Sequence, residues 1–383
     1  MTKLLVVPSQ EFSTTYSGTR YLLSELSKRG VDITVFLRVP PEKCVQYCDL
    51  PFRMDFFTWW SPEWPKWKRL LSILCYRFLV VLRLLGAKNV LLTESLYLPE
   101  VAFVKKIRPG MRFIHYCQEL HIPEEYPHLW SARQYGKYAR VADLVLDVEP
   151  HRAAIRKNRF CLQRMPLVLM NTVPGDMVSN SGSLSALAGA EVSHELPIVL
   201  YAGGIGVEKP FSRIVNAIAA QKGACRLVAF CATTPELLVD AQSQAKRALL
   251  PDSYIISGGV SHNELLQAMH EADIGIVDYS YSIEPTTNQK FCAPTKLYEY
   301  LAAGLAVVGS NNDSLRDVLE GNNVGCCAIS DSDEHLAEAL SRVLANVDEM
   351  RASAKQVFQE KYAYEKCCIP VVEEICSWLC AKN

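Results

Sequence analysis

A lysine and a glutamate lie three residues apart near the predicted start of a helix, in the segment PTKLYEYLAAG that begins at Pro294. Pro294 suits the first turn of a helix because it lacks only an N–H that would be unpaired there, and Thr295 adds a hydroxyl. Free N–H groups, the positive end of the helix dipole and the Lys296 ammonium favour an anion, most naturally a phosphate. Glu299, one turn later, could accept hydrogen bonds from a hydroxylated group attached to that phosphate. A solvated helical pair of Lys296 and Glu299 is the alternative.

The elements around this pair follow from the spacing of the apolar residues. Leu297, Tyr300 and Leu301 recur at intervals of three and four, which predicts one buried helix face. Gly304 is predicted to end the helix, and LAVVGS after it predicts a short buried strand that leads up to Ser310.

A second phosphate-binding pattern occurs where the predicted strand PIVLYAGG runs into Gly203 and Gly204. Paired glycines after a strand let the backbone approach a ligand closely, and Lys209 and Arg213 follow at the start of the next predicted helix. GGIGVEKP is not a dinucleotide fingerprint, because it lacks the third glycine in the required place and no acidic residue ends the following strand, CRLVAF. The chain also contains no P-loop pattern.

The beginning of the chain predicts a doubly wound α/β domain. Lys3–Val7 reads as a strand, Thr19–Arg29 as a helix and Val31–Leu37 as the next strand. Ligand sites in such domains lie beyond the carboxyl ends of the strands, so the loop Ser9–Gly18 is a candidate ligand loop. A plain turn before a helix is the alternative for Gly18.

Polar residues also follow the predicted strand RFIHYC, in the segment QELHIPEEYP. A carboxylate or an imidazole at a strand end could receive the proton of an attacking hydroxyl group. Glu119 and His121 lie in this segment, with Glu124 and Glu125 just beyond them. Loop glutamates are often merely solvated, which is the alternative for Glu119.

Residues 58–86 combine four tryptophans with a long amphipathic pattern. The apolar positions are interrupted by cations, so no uncharged run of about eighteen residues exists and a membrane-spanning helix is not expected. A basic amphipathic helix preceded by tryptophans is typical of an element that lies on a membrane surface. A buried helix with outward-reaching arginines is the alternative.

Charge is distributed unevenly along the 383 residues. The first 170 residues contain 25 Lys and Arg against 15 Asp and Glu, whereas the rest contain 15 against 26. A basic first half favours an anionic partner such as a membrane surface. The fourteen cysteines include no CxxC pair and no signal peptide precedes them, so we expect reduced thiols in a cytoplasmic protein and no metal site.

The segment from Pro294 to Val308 resembles the donor-binding segment of GT-B glycosyltransferases, especially glycosyltransferase family 4 and its relatives. The resemblance implies that Glu299 holds the ribose of a nucleotide-sugar, and that Lys296 and the helix start, with Thr295 and Leu297, face its diphosphate. Many members carry a second glutamate eight residues earlier, where this chain has Phe291.

The same resemblance assigns roles to the other candidates. Gly203, Gly204 and Lys209 would contact the donor diphosphate, as would Gly18 in the first half. The backbone near Val260 would meet the nucleotide base. Glu119 best matches the acidic or histidine position that faces the donor sugar, with His121 second and His115 third.

We therefore predict an α/β protein of the GT-B class: two Rossmann-like domains with a cleft between them and a C-terminal helix that crosses back to the first domain. The predicted boundaries are residues 1–171 for an acceptor-binding domain, 172–196 for a linker, 197–361 for a nucleotide-sugar-binding domain and 362–383 for the final helix.

The predicted function is metal-independent transfer of a sugar from a donor such as a UDP- or GDP-sugar to a lipid-linked or cell-envelope glycan, without a further cofactor. The predicted partners are the nucleotide-sugar, the glycan acceptor and the membrane surface, through residues 58–86, but no nucleic acid. A nucleotide-sugar 2-epimerase and a catalytically silent GT-B protein that binds a nucleotide-sugar or glycan are the alternatives. We expect a cytoplasmic protein, peripheral on the inner face of the membrane.

Overall fold

The chain forms two compact units. The first comprises Met1–Met170 together with Cys368–Asn383, and the second comprises Asn171–Cys367. Residues 172–196, predicted to be a linker, fall within the second unit. The computed structural model describes residues 2–8, 17–47, 49–178, 181–206, 211–279 and 286–381.

The first unit is built on a parallel sheet of seven strands. These are β1 (Thr2–Pro8), β2 (Val31–Arg38), β3 (Arg53–Phe57), β4 (Asn89–Thr93), β5 (Arg112–Cys117), β6 (Leu144–Asp147) and β7 (Leu167–Val168). Their order is β3-β2-β1-β4-β5-β6-β7, and every neighbouring pair is parallel. The order reverses between β1 and β4, where ligands bind in such sheets.

The second unit contains a parallel sheet of six strands. These are β8 (Ile198–Gly204), β9 (Arg226–Ala232), β10 (Tyr254–Gly258), β11 (Ile274–Val277), β12 (Ala306–Gly309) and β13 (Gly325–Cys327). Their order is β10-β9-β8-β11-β12-β13, again with parallel neighbours throughout. The order reverses between β8 and β11.

Helices alternate with the strands in both units. They are α1 (Ser17–Lys28), α2 (Lys66–Gly86), α3 (Leu98–Ile107), α4 (Trp130–Tyr138), α5 (Pro150–Arg159), α6 (Leu184–Ala188), α7 (Ser212–Ala219), α8 (Pro235–Ala248), α9 (His262–Ala268), α10 (Thr287–Lys290), α11 (Thr295–Ala302), α12 (Asp313–Leu319), α13 (Asp333–Ala345), α14 (Val347–Val357), α15 (Tyr364–Cys367) and α16 (Ile369–Cys380). Short 3-10 helices at Pro41–Tyr47, Ala139–Val141 and Met269–Glu271 and a π turn at Phe358–Tyr362 complete the secondary structure.

Each sheet is covered by its own apolar core. Strands β4 and β5 are buried along their whole length, which explains why they appear in the sequence as nearly continuous apolar runs rather than alternating ones. In the second unit, β8, β9, β11 and β12 form the core with apolar residues of α7 and α13. The thirteen cysteines in the described residues are free thiols, and seven of them are buried.

The last helix, α16, is part of the first unit. The Arg112 guanidinium, at the start of β5, lies 3.9 Å from the centre of the Trp378 ring. It also donates hydrogen bonds of 3.2 Å to the carbonyls of Leu379 and Ala381. These contacts fix α16 to the sheet of the first unit, and helix α1 contacts it as well.

The predicted fold class is confirmed. Two parallel α/β sheets are present, and each reverses its strand order once, as a doubly wound fold requires.

Candidate functional site

The candidate donor site of the second unit lies at the switch point between β8 and β11. Helix α11 begins at Thr295 after Pro294, which has an extended backbone and no side-chain cap. Its first N–H groups are therefore oriented outward from the helix start. Helix α11 is anchored by Tyr300, whose hydroxyl accepts a 3.0 Å hydrogen bond from the Ala202 amide of β8. The tyrosine ring packs directly against Gly275, so any larger residue there would clash with it.

Lys296 lies against the glycine pair that ends β8. A β-carbon on Gly203 would lie 2.5 Å from the Lys296 Nζ, so the ammonium in its present position lies close against the glycine backbone. The ammonium also lies 4.9 Å from the centre of the Tyr201 ring and 5.8 Å from that of Tyr279. The Tyr201 hydroxyl in turn donates a 2.8 Å hydrogen bond to the Gly204 carbonyl. The structure thus brings together Lys296, Gly203 and Gly204, which lie about ninety residues apart in the sequence.

Glu299 is buried and paired with a histidine that the sequence pattern does not single out. The Glu299 Oε1 lies 2.7 Å from the Nε2 of His262, the first residue of α9. This hydrogen bond raises the pKa of His262 above its usual value, although partial burial of the imidazole acts in the opposite direction. The only signal in the sequence is the position of His262, two residues after Val260. One oxygen of the Glu299 carboxylate is therefore paired with His262 in this structure.

The other predicted donor residues have different surroundings. Val260 is half-buried just before α9, and Thr295 is half-buried at the start of α11. Leu297 is 2% exposed, so only its backbone could reach a ligand, and its N–H already donates to the Pro294 carbonyl at 3.2 Å. Lys209 lies outside the described residues, which omit 207–210.

The position of Arg213 in the sequence, shortly after the glycine pair and Lys209, suggested a phosphate-binding residue. In the structure its guanidinium is bound by carboxylates instead. Its guanidinium is buried and forms an ion pair with Asp278, with Nε 3.1 Å from Oδ2. Another nitrogen of the same group lies 3.3 Å from Asp333 and also donates to the Asp331 carbonyl. Arg213 therefore joins α7 to the ends of β11 and α13.

The segment before α11 is held by side-chain hydrogen bonds. Thr286 and Gln289 form a capping box at the start of α10, and the Asn312 amide donates to the Gln289 carbonyl at 2.8 Å. Phe291, which replaces the glutamate common in the related family, is half-buried after α10. Residues 280–285, which precede this segment, lie outside the described part of the chain.

In the first unit, Glu119 follows β5 and has a half-exposed carboxylate. Its Oε2 lies 3.5 Å from the Arg152 Nη1, and 49% of its side chain is exposed. The ring of His121 packs edge-on against Tyr126, with 4.9 Å between the ring centres. Burial lowers the pKa of His121, while the nearby Glu119 charge acts in the opposite direction. Both predicted residues therefore lie in one loop.

His115 is a core residue, which argues against it as a proton acceptor. It lies within β5 with no exposed surface, and burial and the Arg156 charge lower its pKa to about 3. The Nε2–H of the neutral ring donates a 2.8 Å hydrogen bond to the Glu94 carbonyl.

The start of α1 is tied to the Glu119 loop. Gly18, the second residue of α1, is buried, and the neighbouring Thr19 hydroxyl accepts a 3.0 Å hydrogen bond from the Gln118 side chain. Residues 9–16 of the candidate ligand loop lie outside the described residues. The start of α1 and the loop after β5 are thus joined by a hydrogen bond.

Helix α2 exposes one apolar face to solvent. Its inner face is formed by Ser72, Tyr76, Val80 and Leu84, which are buried. The opposite face carries an apolar stripe, and each of its side chains is between 44% and 68% exposed: Trp67, Leu70, Leu71, Leu74, Phe78 and Leu82. Helix α3, which packs against α2, adds exposed Phe103 and Ile107. Six large apolar side chains on one helix face form a patch of the kind that marks an interaction surface.

No helix in the described part of the chain is long and apolar enough to cross a membrane. Across those same residues, no group of three or more His, Cys, Asp or Glu side chains is arranged to hold a metal ion.

Residues 189–360 match the family model described as glycosyl transferases group 1. This match covers the candidate donor site of the second unit, including Gly203, His262, Lys296 and Glu299. No curated protein sequence matches the chain significantly.

Solved structures similar to this chain extend over its whole length. A sucrose-phosphate synthase from Thermosynechococcus elongatus is 15% identical with a TM-score of 0.74, and the match covers 100% of both chains. HepE from Anabaena, solved in complex with UDP, is 14% identical with a TM-score of 0.73, covering 99% of both chains. WaaG, a glycosyltransferase involved in lipopolysaccharide biosynthesis, is 13% identical with a TM-score of 0.66, covering 100% of both chains. Residues 189–360 thus form a group 1 glycosyl transferase domain, and the chain is a glycosyltransferase of the GT-B fold.

Proposed function

We propose that this glycosyltransferase moves a sugar from a nucleotide-sugar donor to a lipid-linked or cell-envelope glycan, without a metal ion. The observation that carries the proposal is the contact of the Lys296 ammonium with Gly203, with the Glu299 carboxylate one turn further along α11. A cation, a glycine-lined backbone and a carboxylate at one switch point match the charge of the diphosphate and the hydroxyls of the ribose.

The donor would bind with its diphosphate between the start of α11 and the end of β8. Lys296 and the first N–H groups of α11 would bind the phosphate oxygens, and Gly203 would let them approach the backbone. Glu299 would accept hydrogen bonds from the ribose hydroxyls in place of His262. Anabaena HepE was solved with UDP and with UDP-glucose, so uridine is the first base to test.

Transfer would depend on stabilising the leaving group. The bond between the anomeric carbon and the diphosphate oxygen breaks, and the nucleoside diphosphate leaves with the bonding electrons. The acceptor hydroxyl oxygen forms the new bond to the anomeric carbon and gives up its proton. Positive groups already in place next to the diphosphate stabilise the charge that develops there. Lys296, Lys209 and the helix start would supply this charge.

The first unit would bind the acceptor and handle its proton. Glu119 is the proposed proton acceptor because its carboxylate is half-exposed at the carboxyl end of β5. His121 is the second candidate, and its lowered pKa keeps the ring neutral and able to accept a proton.

Helix α2 would hold the first unit on an anionic membrane surface, where a lipid-linked acceptor is found. Its exposed apolar stripe has the exposed Lys66 beside it at the start of the helix, a cation that suits anionic headgroups. Arg77 and Arg83 of the same helix are paired with carboxylates of the first unit. WaaG is described as involved in lipopolysaccharide biosynthesis, which favours an envelope glycan as the acceptor class.

The donor site can be tested by calorimetry with UDP and GDP in the presence of a chelator. We expect one nucleotide to bind the wild type, and Glu299→Ala to weaken it by more than about 1.4 kcal/mol, which is tenfold in affinity. Glu338→Ala is the control, because Glu338 is exposed on α13 of the same unit. Equal binding by the wild type and Glu299→Ala would refute the proposed ribose site.

Turnover assays distinguish the alternative functions. Conversion of the free nucleotide-sugar to its 2-epimer without an acceptor would identify an epimerase. Retained nucleotide binding without any turnover would identify a silent binding protein.

A further inference from the structure

Glu94 has an unusual backbone at the carboxyl end of β4. It follows Thr93 directly, and its φ of 57° lies in the left-handed region. Such a conformation is unfavourable for a residue with a β-carbon and persists where surrounding contacts enforce it. Two contacts do so here: the Glu94 N–H donates to the Tyr116 carbonyl at 2.9 Å, and the Glu94 carbonyl accepts from His115 Nε2 at 2.8 Å.

The Glu94 carboxylate binds the two peptide N–H groups that follow β5. Its Oε1 accepts hydrogen bonds from the amide of Gln118 at 2.7 Å and from the amide of Glu119 at 3.1 Å. Hydrogen bonds to an ionised acceptor are stronger than those between neutral groups. One oxygen thus fixes two consecutive residues of the proposed acceptor loop.

Two arginines bind the carbonyls of the same two residues. Arg152 donates to the Gln118 carbonyl at 2.8 Å, and Arg156 donates to the Glu119 carbonyl at 3.1 Å. Arg156 is itself fixed in the core by Asp147, with Nε 2.6 Å from Oδ2. The N–H and C=O groups of residues 118 and 119 are therefore all held by charged side chains.

The charge of Glu94 is sensitive to pH near neutrality. Burial and the Glu119 charge raise the pKa of Glu94 to about 7, although the Gln118 amide and Arg156 act in the opposite direction. The other charged and titratable groups around this turn include Arg152, His115, Asp147, Tyr116 and Cys117. His115 stays neutral in this range because its pKa is lowered to about 3. A glutamine could accept the same hydrogen bonds without this charge.

We propose that Glu94 is a positioning residue for sugar transfer: its carboxylate holds the Gln118–Glu119 turn so that the Glu119 side chain is fixed towards the acceptor. This inference rests on the proposed role of Glu119 in the transfer. Glu94 is thereby added to the proposed acceptor site. We infer that its strained backbone and partly desolvated charge are kept because they fix the turn, and not because they stabilise the fold.

The experiment compares Glu94→Gln and Glu94→Ala with Glu100→Gln. Glu100 is a matched control because it is also a shielded glutamate of the first unit, paired with Arg77 at 2.5 Å and not among the groups that hold the turn. The readouts are kcat and KM for release of UDP from UDP-glucose, Tm, and hydrogen exchange of the amides of residues 118 and 119.

Glu94→Gln is expected to lower kcat about tenfold or more with little change in KM, since small misplacements of reacting groups are costly in rate. The wild-type kcat should fall as the pH drops through about 7, and this fall should be absent in Glu94→Gln. The variant should also have a higher Tm than the wild type at pH 8.5, with a smaller difference at pH 5.5, because it removes a partly desolvated charge. Glu94→Ala should lose the exchange protection of both amides.

A structural role alone would lower Tm and activity together, and that result would overturn the proposal. Unchanged kcat in Glu94→Gln, or full amide protection in Glu94→Ala, would also overturn it. The exchange measurement needs no substrate, so it tests whether Glu94 holds the turn even if UDP-glucose is not the donor. Failure of UDP and GDP to bind the wild type would count against the proposed donor site. It would not affect the exchange result, which concerns only the contact between Glu94 and the turn.

Discussion

Replacing His262 with alanine should change the pH dependence of nucleotide binding. In the structure, the His262 imidazole occupies the Oε1 of Glu299 at 2.7 Å, the atom proposed to bind the ribose. Because this bond raises the pKa of His262, the protonated ring competes with the ribose most strongly at low pH. His262→Ala removes that competition while leaving the carboxylate in place.

The size of the effect follows from the exposure of the pair. The His262 side chain is 41% exposed and that of Glu299 is 8% exposed, so solvent screens the interaction and its strength lies near that of a surface ion pair, about 0.2–1 kcal/mol. We therefore expect His262→Ala to bind UDP up to about fivefold more tightly than the wild type at pH 6. The difference between the two proteins should shrink as the pH rises through the raised pKa of His262, because the imidazole loses its proton there.

Calorimetry in buffers of different ionisation enthalpy measures the proton that should leave His262 on binding. The wild type should release protons near pH 6.5, beyond those released by the nucleotide itself, and His262→Ala should not. The same pair contributes to stability below the unfolded pKa of histidine and ceases to do so as the pH rises through the raised folded pKa. Weaker UDP binding by His262→Ala at low and at high pH would refute the competition and indicate that His262 contacts the nucleotide.

Two further variants test the surface of the first unit and the core of the second. The double change Leu74→Ser and Phe78→Ser should reduce sedimentation with phosphatidylglycerol vesicles at least about tenfold, since burying each side chain is worth about 1.5–3 kcal/mol. Leu250→Ser, an exposed leucine of the second unit, should not reduce it, and equal loss in both proteins would contradict membrane docking through α2. Gly275→Ala should lower the free energy of unfolding by about 1–3 kcal/mol because its methyl group would overlap the Tyr300 ring. Unchanged stability in urea unfolding would contradict that packing.

The fold could be predicted from the sequence because local patterns and long-range packing agree. The strand predicted at Lys3–Val7 is β1, and the helix predicted to begin at Pro294 is α11, whose buried face includes Leu297 and Leu301. Continuous apolar runs separated by amphipathic segments leave few arrangements other than parallel sheets covered by helices.

The partners of charged residues could not be predicted, because they depend on tertiary contacts. Arg213 and Lys209 look equivalent in the sequence, yet the guanidinium of Arg213 forms an ion pair with Asp278. Glu299 was predicted to lie in the donor site, but its contact with His262 joins residues 37 positions apart. Glu94 is not part of any recognisable sequence motif. Its role is visible only in the folded structure, where its carboxylate accepts hydrogen bonds from the turn after β5.

The apolar face of α2 illustrates the limit of periodicity. The spacing of leucines predicts that one face is apolar, and a buried helix and a membrane-surface helix share that pattern. Only the packing of Tyr76 and Val80 inward shows that a second apolar face remains in solvent.

The attachment of α16 to the first unit has a consequence for the order in which the chain can fold. The carbonyl groups that accept hydrogen bonds from Arg112 lie 267 and 269 residues later in the sequence. During synthesis, residues 171–367 can complete their own sheet before the first unit obtains its last helix. The first unit, although most of it is synthesised first, is therefore completed last. Until α16 is in place, the surface around Arg112 that it covers is exposed and can form non-native contacts.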